Sequence, residues 1–252
     1  MEWNGKTVLV TGGSQGLGAT MSRLFAEAGA QVIVNCAHHL EKAEAVAAKI
    51  RNAGGSAAVK RFDISREAEV QKAFAEIEEQ YGGLDILVCN ARIDPYKRPP
   101  ELSDGDWFDA VIGVNLKGPY LCGLAALEQM KRRGGGRIVN VASIAGKVGG
   151  GYLGTAAYAA AKAGVISLTK SIAKAGSSKN IYCNSLCPAY TKTPLVSILT
   201  GEKEQKVLDA MSLHRAADPM EVASAVLFLA SDAASFVQGE NLNCDGGMLM
   251  NG

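Results

Sequence analysis

The sequence predicts an α/β fold: a doubly wound parallel sheet of about seven strands in a single domain spanning 1–252. Three observations carry that expectation. Short β-branched runs alternate with longer stretches of helical period, glycines close the predicted helices, and a glycine-rich loop directly follows the first strand. Strands are expected near 7–10, 31–34, 57–61, 86–89, 137–141, 181–186 and 241–244. They read as apolar runs because helices would cover both faces of such a sheet. Helices are expected near 17–28, 40–53, 67–81, 106–133, 155–175 and 220–230. Gly29 closes the first, Gly54-Gly55 the second and Gly82-Gly83 the third. An eight-stranded α/β barrel is the rival architecture, but about seven strands are present and the first runs straight into glycines. The alternation breaks over 190–219, which carries Pro194, Gly201 and a mixed helical pattern from Glu202 to Leu213. In open α/β sheets ligands bind outside the carboxyl ends of the strands, where this segment emerges, so it is expected to cover the substrate side.

A chain of 252 residues with 48% hydrophobic and 20% charged residues can bury a sizeable core, and a net charge of +1 offers no footprint for nucleic acid or an anionic membrane. Small molecules are the expected partners. No apolar run approaches transmembrane length and no signal peptide opens the chain, so a cytoplasmic location is expected. The cysteines at 36, 89, 122, 183, 187 and 244 lie in apolar surroundings without paired ligand spacing, so free thiols are expected and no metal site.

The loop Thr11-Gly12-Gly13-Ser14-Gln15-Gly16-Leu17-Gly18 sits between a strand and a helix, the context that makes a glycine pattern a phosphate site. The glycines permit a tight turn and close backbone approach, and the helix N-terminus offers free N–H groups to a pyrophosphate. A Walker loop is excluded because Ala19-Thr20 follow where Lys then Ser or Thr is needed. Far downstream, Tyr158 and Lys162 stand one helical turn apart, so phenol and ammonium share a face. A phenol titrates near pH ~10, and an adjacent cation is expected to bring it toward the working range.

The spacing of Gly12, Gly16 and Gly18, with Tyr158-x-x-x-Lys162, resembles the signatures of short-chain dehydrogenases/reductases, over essentially the whole chain. The resemblance implies a Rossmann fold and a catalytic set of Asn115, Ser143, Tyr158 and Lys162. It places Ser14, Gln15 and Leu17 with the glycines on the cofactor, Asp63 and Ile64 at the adenine, and Asn90 and Ala91 at a strand end. It also places Pro188 and Thr193 at the nicotinamide, and Gly239 with Asp245-Gly246-Gly247 at a C-terminal signature. It implies hydride transfer between a nicotinamide and a carbonyl or alcohol substrate, and a homotetramer that would cover the apolar tail Met248-Leu249-Met250. Tyr158 would give the proton, Ser143 would hold the carbonyl oxygen, Lys162 would favour the phenolate and bind the ribose, and Asn115 would extend the proton path to solvent.

The second strand decides the cofactor. An acidic residue at its end would bind the ribose of NAD(H) and repel a 2′-phosphate, yet Cys36 stands there. NADP(H) is therefore favoured over NAD(H), with Ser14, Asn35, His38 and His39 as candidate donors; the two histidines read equally as solvated helix-entry residues. The family's usual Arg or Lys is missing from both expected places.

Three positions depart from the family pattern: Arg92 and Ala189 replace Gly, and Tyr182 replaces Arg. Arg92 reads as a solvent-facing side chain, or as one at the pocket mouth able to pair with an anion. Ala189 would be strained if its φ were positive. The pocket wall is expected from Gly149-Gly150-Gly151-Tyr152-Leu153, Tyr190, Leu195, Leu199 and Met211, making it roomy, largely apolar and without a charged anchor. The second substrate reading is a carrier-bound 3-oxoacyl group docked on Lys131-Arg132-Arg133 and Arg137, though cations are favourable at a helix end anyway. A serine hydrolase lacks its Gly-x-Ser-x-Gly around Ser143, and a non-catalytic nucleotide-binding or redox-sensing protein is the alternative of another class.

Overall fold

The computed structural model describes residues 3–151, 153–193 and 200–250. Seven strands, β1 (Thr7–Val10), β2 (Gln31–Cys36), β3 (Ser56–Arg61), β4 (Ile86–Cys89), β5 (Gly136–Val141), β6 (Ile181–Pro188) and β7 (Asn241–Cys244), form one sheet in the order β3-β2-β1-β4-β5-β6-β7. Every neighbouring pair is parallel. The helices are α1 (Gly16–Glu27), α2 (Leu40–Asn52), α3 (Glu67–Tyr81), α4 (Asp104–Ile112), α5 (Gly118–Arg133), α6 (Ala145–Val148), α7 (Ala156–Gly176), α8 (Glu202–Asp209) and α9 (Pro219–Leu229).

Strand alternation sends successive side chains to opposite faces, and both faces here are dry. Val8, Val10, Val32, Val34 and Val88 pack with Met21 and Phe25 of α1 and Val226 of α9. Leu9, Ile33, Leu87 and Ile138 pack on the other face with Phe74 and Ile77 of α3, Met130 of α5 and Ile172 of α7. The predicted elements are thus present, with ends displaced by about a turn or less. The chain reverses winding between β1 and β4, which pair directly. That switch point opens a crevice at their carboxyl ends.

Two features depart from the sequence expectation. The single helix expected over 106–133 is interrupted by a π-helical turn, Gly113–Lys117, between α4 and α5. Also, the continuous stretch 104–133 is long and apolar enough, by length and composition, to cross a bilayer. In this fold half of its most apolar window is buried, and α5 packs between α3 and α7 as a core helix.

Candidate active site

The crevice is a cavity of about 470 Å³ that runs from Gly12, Ser14 and His38 at one end to Ser143, Tyr158 and Lys162 at the other. Its nucleotide end is built by backbone approach. Gly12 has φ +62, and a Cβ there would lie 2.8 Å from the Cα of Ala91; a Cβ on Gly18 would strike the carbonyl oxygen of Gly12. Only glycine fits either position, and the space left free is the cradle a pyrophosphate needs beside the first turn of α1. Thr11 Oγ1 accepts from the N–H groups of Asn90 and Ala91 at 2.9 and 3.1 Å, and Asn90 Nδ2 donates to the carbonyls of Thr11 and Gly12. Asn90 thereby ties the end of β4 to the loop after β1.

Asn35, expected as a phosphate donor, is only 2% exposed and its amide is already spent. Oδ1 accepts from Gly12 N, and Nδ2 donates to the carbonyls of Cys36, Lys60 and Phe62. A buried amide at a strand end must satisfy itself locally, so Asn35 shapes the loop instead of reaching a ligand. His38 and His39 are exposed and line the cavity. Two cations lie near the end of β2. Arg61 ends β3 in register with Cys36 and donates to Ala37 O at 3.1 Å, while Lys42 on α2 donates to Gln15 Oε1 at 3.4 Å. Leu17 and Ile64 line the cavity, and Asp63 also lines it, with Oδ1 accepting from the Ser65 amide and hydroxyl.

At the other end, β5 and β6 deliver Ser143, Pro188 and Ala189, and α7 delivers Tyr158 and Lys162. Ser143 hydrogen-bonds Tyr158, and Ser143 Oγ accepts from Ala145 N at 3.2 Å. Lys162 is 2% exposed; its Nζ lies 5.7 Å from the Tyr158 ring centroid and donates to Val141 O at 2.7 Å. Burial sets the protonation of this pair. It pushes the Tyr158 phenol above its usual value, opposed by the Arg92 cation and the Ser143 hydrogen bond. It holds Lys162 down to about 7, with Arg92 acting in the same direction. The cation that lowers the Tyr158 phenol here is Arg92, and burial outweighs it.

Asn115 is buried at the centre of the π-helical turn, where a fifth residue per loop re-aims the side chain. Its Nδ2 donates to Val111 O at 3.0 Å, and its Oδ1 has no partner among the described residues. Thr193 Oγ1 and Thr191 Oγ1, both on the cavity wall, are likewise buried and unpartnered. The glycine cradle at one end of the cavity, with unpartnered hydroxyls of Thr191 and Thr193 on its wall, fits a dinucleotide.

The segment after β6 closes back on itself. Thr191 bridges Ala217, and Tyr190 OH donates to Glu204 Oε1 of α8 at 2.8 Å; burial, helped by that carboxylate, pushes the phenol up to about 12. Tyr190, Val207, Met248, Gly150 and Gly151 line the cavity, whereas Met211 is buried against the loop of Gly246. The expected wall residues Tyr152, Leu195 and Leu199, and the Leu153 side chain, lie outside the described residues. Arg92 is not solvent-facing: its side chain is 28% exposed and lines the cavity. Ala189 is not among the non-glycines with positive φ, so its replacement of glycine carries no strain. Tyr182 carries the Arg137 guanidinium 4.4 Å above its ring. Cys36, Cys89, Cys122, Cys183 and Cys187 are free and buried, and Cys244 is free and partly buried. No metal-binding cluster occurs among the described residues.

The family model described as short chain dehydrogenase matches residues 6–204. Cis-4-hydroxycyclohexanecarboxylate dehydrogenase of Sinomonas cyclohexanicum is 41% identical, with 96% of each chain covered. The 3-oxoacyl-(acyl-carrier-protein) reductase of Staphylococcus aureus is 37% identical over 97% of this chain and 98% of its own. Gluconate 5-dehydrogenase of Burkholderia cenocepacia, solved with NADP and tartrate, superposes with a TM-score of 0.89 at 33% identity, covering 98% of this chain and 96% of that one. With a seven-stranded sheet, a glycine cradle at its switch point and Tyr158 and Lys162 on one helical face beside it, the chain belongs to the short-chain dehydrogenase/reductase family of oxidoreductases acting on alcohol and ketone groups.

Proposed function

We propose that the protein interconverts a ketone and a secondary alcohol with NADP(H) in preference to NAD(H), using Tyr158, Ser143, Lys162 and Asn115. The observation that carries this reading is the convergence of Ser143, Tyr158 and Lys162 on the same cavity as the Gly12–Gly18 cradle. Gly12, Ser14, Gln15, Leu17 and Gly18 would hold the pyrophosphate side, Asp63 and Ile64 the adenine, and Pro188 and Thr193 the nicotinamide. The bound nicotinamide supplies or accepts the hydride. The protein's residues manage the proton. Tyr158 donates to the carbonyl oxygen as negative charge develops there, and Ser143 gives that oxygen a second hydrogen bond. Lys162, fixed by Val141 O, resupplies the proton, and the open Oδ1 of Asn115 accepts from the water that links Lys162 to solvent.

For NADP(H), no carboxylate ends β2, and Arg61 and Lys42 supply positive charge beside Ala37 and Gln15, with His38 in reach of the same corner. A carrier-bound 3-oxoacyl substrate stays as the second reading, supported by the likeness to the Staphylococcus aureus reductase, but the basic end of α5 is a poor docking place for the carrier. Lys131 pairs with Glu128, Arg132 with Glu78, Arg133 with Asp85 and Arg137 with Asp232, and the cluster lies at the end of α5 that leads into the amino end of β5, opposite the cavity. We further infer a cytoplasmic homotetramer. Tyr158→Phe should lower turnover by at least about 10³-fold while leaving NADPH affinity within about twofold, read by single-turnover kinetics and a fluorescence titration. The same assay with NADH should give the lower kcat/KM; equal values would remove the cofactor preference, and an active Phe variant would remove Tyr158 as the acid.

A further inference from the structure

We infer that Arg92 anchors a carboxylate on the substrate, so that the enzyme works on oxo acids and hydroxy acids. This deepens the reading of the cavity as a carbonyl-reducing site and rests on it. Arg92 follows directly on Asn90 and Ala91, whose backbone N–H groups are fixed by Thr11 Oγ1 at 2.9 and 3.1 Å. The rigid end of β4 therefore delivers the arginine to the same cavity as Ser143 and Tyr158. Its guanidinium makes no hydrogen bond among the described residues, and its ionic neighbour, Asp94 Oδ1, stands 3.9 Å away. That is beyond hydrogen-bonding distance. Asp94 Oδ1 accepts from Tyr96 N at 3.1 Å and its buried Oδ2 has no partner among the described residues, so this carboxylate offsets part of the Arg92 charge without taking its donors.

A partly buried guanidinium with five donors that no described residue accepts is free to offer them to a ligand in the cavity. A carboxylate accepts them in the paired geometry the planar fork favours. The remaining charges of the cavity agree. Among the lining residues Asp63 is the one carboxylate, and it belongs to the adenine end; Lys162, the other cation at the reacting end, is buried beneath Tyr158 and donates to Val141 O. Arg92 is the one lining cation at the reacting end whose donors have no acceptor among the described residues, and the Asp94 carboxylate behind it is felt at Tyr158 too. Its charge also reaches the reacting groups, since Tyr158 and Lys162 both feel it. The walls contributed by Ile93, Pro95, Val207 and Met248 would take the carbon skeleton between the carboxylate and the carbonyl.

The test uses matched pairs: 4-oxopentanoate and 4-oxocyclohexanecarboxylate, each against its methyl ester, with NADPH. Wild type should prefer the acids by at least about tenfold in kcat/KM, as expected for a charge-assisted pair. In Arg92→Gln that ratio should fall to within about twofold of unity, and Arg92→Lys should keep part of it. Binding of each acid, followed by ligand-observed NMR with NADP+ present, should weaken by at least about tenfold in the Gln variant. Thermal melting of both variants establishes that they are folded. An acid preference that survives in Arg92→Gln, or a variant that loses NADPH affinity while its acid-to-ester ratio stands, overturns the proposal and leaves the carbonyl-reduction reading intact. If neither acids nor esters oxidise NADPH, the function reading fails, and acid affinity unchanged by Arg92→Gln would then overturn the anchor as well.

Discussion

Lys162 is a residue at which catalysis and stability pull against each other. Its amine is buried among Val141 and the sheet end, and burial holds it down to about 7 from an ordinary 10.5. Below about 7 the folded and unfolded chains both carry the proton, and the full cost of a desolvated ammonium is present. Between about 7 and 10.5 the unfolded chain binds the extra proton, so this residue's contribution makes the fold more stable as pH rises. Lys162→Met should therefore abolish turnover and raise the Tm near about pH 6.5, by about 2–4 °C for each kcal/mol relieved in a chain of this size. The advantage should shrink by about pH 9. Calorimetry of both proteins at the two pH values reads this directly, and an advantage that grows with pH would contradict a strained ammonium. That Tyr158 and Lys162 share a face was legible from their spacing, because one helical turn fixes it, but the pair took on meaning only beside the glycine loop, Asn115 and Ser143. Their protonation was not legible, because it depends on burial and on Arg92, whose loop comes close only after β4 has paired with β1.

The same division holds among the elements. Strands covered on both faces advertise themselves as apolar runs, as β1, β2 and β4 do, while the edge strands β3 and β7 are only partly buried and were placed by the alternation with helices; the glycine loop could be assigned because it falls between β1 and α1. The cations near the ribose corner could not, since Arg61 meets Cys36 only through the register of β3 on β2. Nor could the π-helical turn at Gly113–Lys117, a geometry with no propensity pattern of its own. Asn35 misled for a related reason: its position suggests a ligand donor, while its neighbours on β3 and the loop consume every polar atom it has. The loop gives a sharp prediction at this scale. A Cβ on Gly18 would collide with the Gly12 carbonyl and lie 2.7 Å from Asn90 Nδ2, which itself ties the loop to β4. These are backbone and tethered atoms with little freedom to yield. Gly18→Ala should lower NADPH affinity by at least about tenfold and destabilise the fold by about 1–3 kcal/mol. Fluorescence titration and urea denaturation read the two effects; unaltered affinity would mean that the loop can shift without losing its cradle.

Across the whole molecule, the apolar side chains left outside fall into separated groups. Tyr120 and Leu124 are 46% and 40% exposed, one turn apart on α5, with Phe108 of α4 48% exposed earlier in the same helical stretch. Phe236 and Met250, beyond α9, are exposed as well. The group on α4 and α5 is one that the proposed homotetramer would cover, burying aromatic and aliphatic area that a lone chain leaves wet. The helical face is the better place to break the assembly, because α5 is anchored on its other side by Cys122, Ala126 and Met130 in the core, so a charge on its outer side leaves the fold supported. Wild type should elute with a light-scattering mass four times the 26.3 kDa of one chain. Leu124→Glu places like charges against each other across a two-fold contact and should shift that mass to dimer or monomer, with the thermal midpoint lowered and the cavity residues untouched. A variant that keeps the wild-type mass would move the interface away from α5, and a wild-type protein of single-chain mass would remove the tetramer.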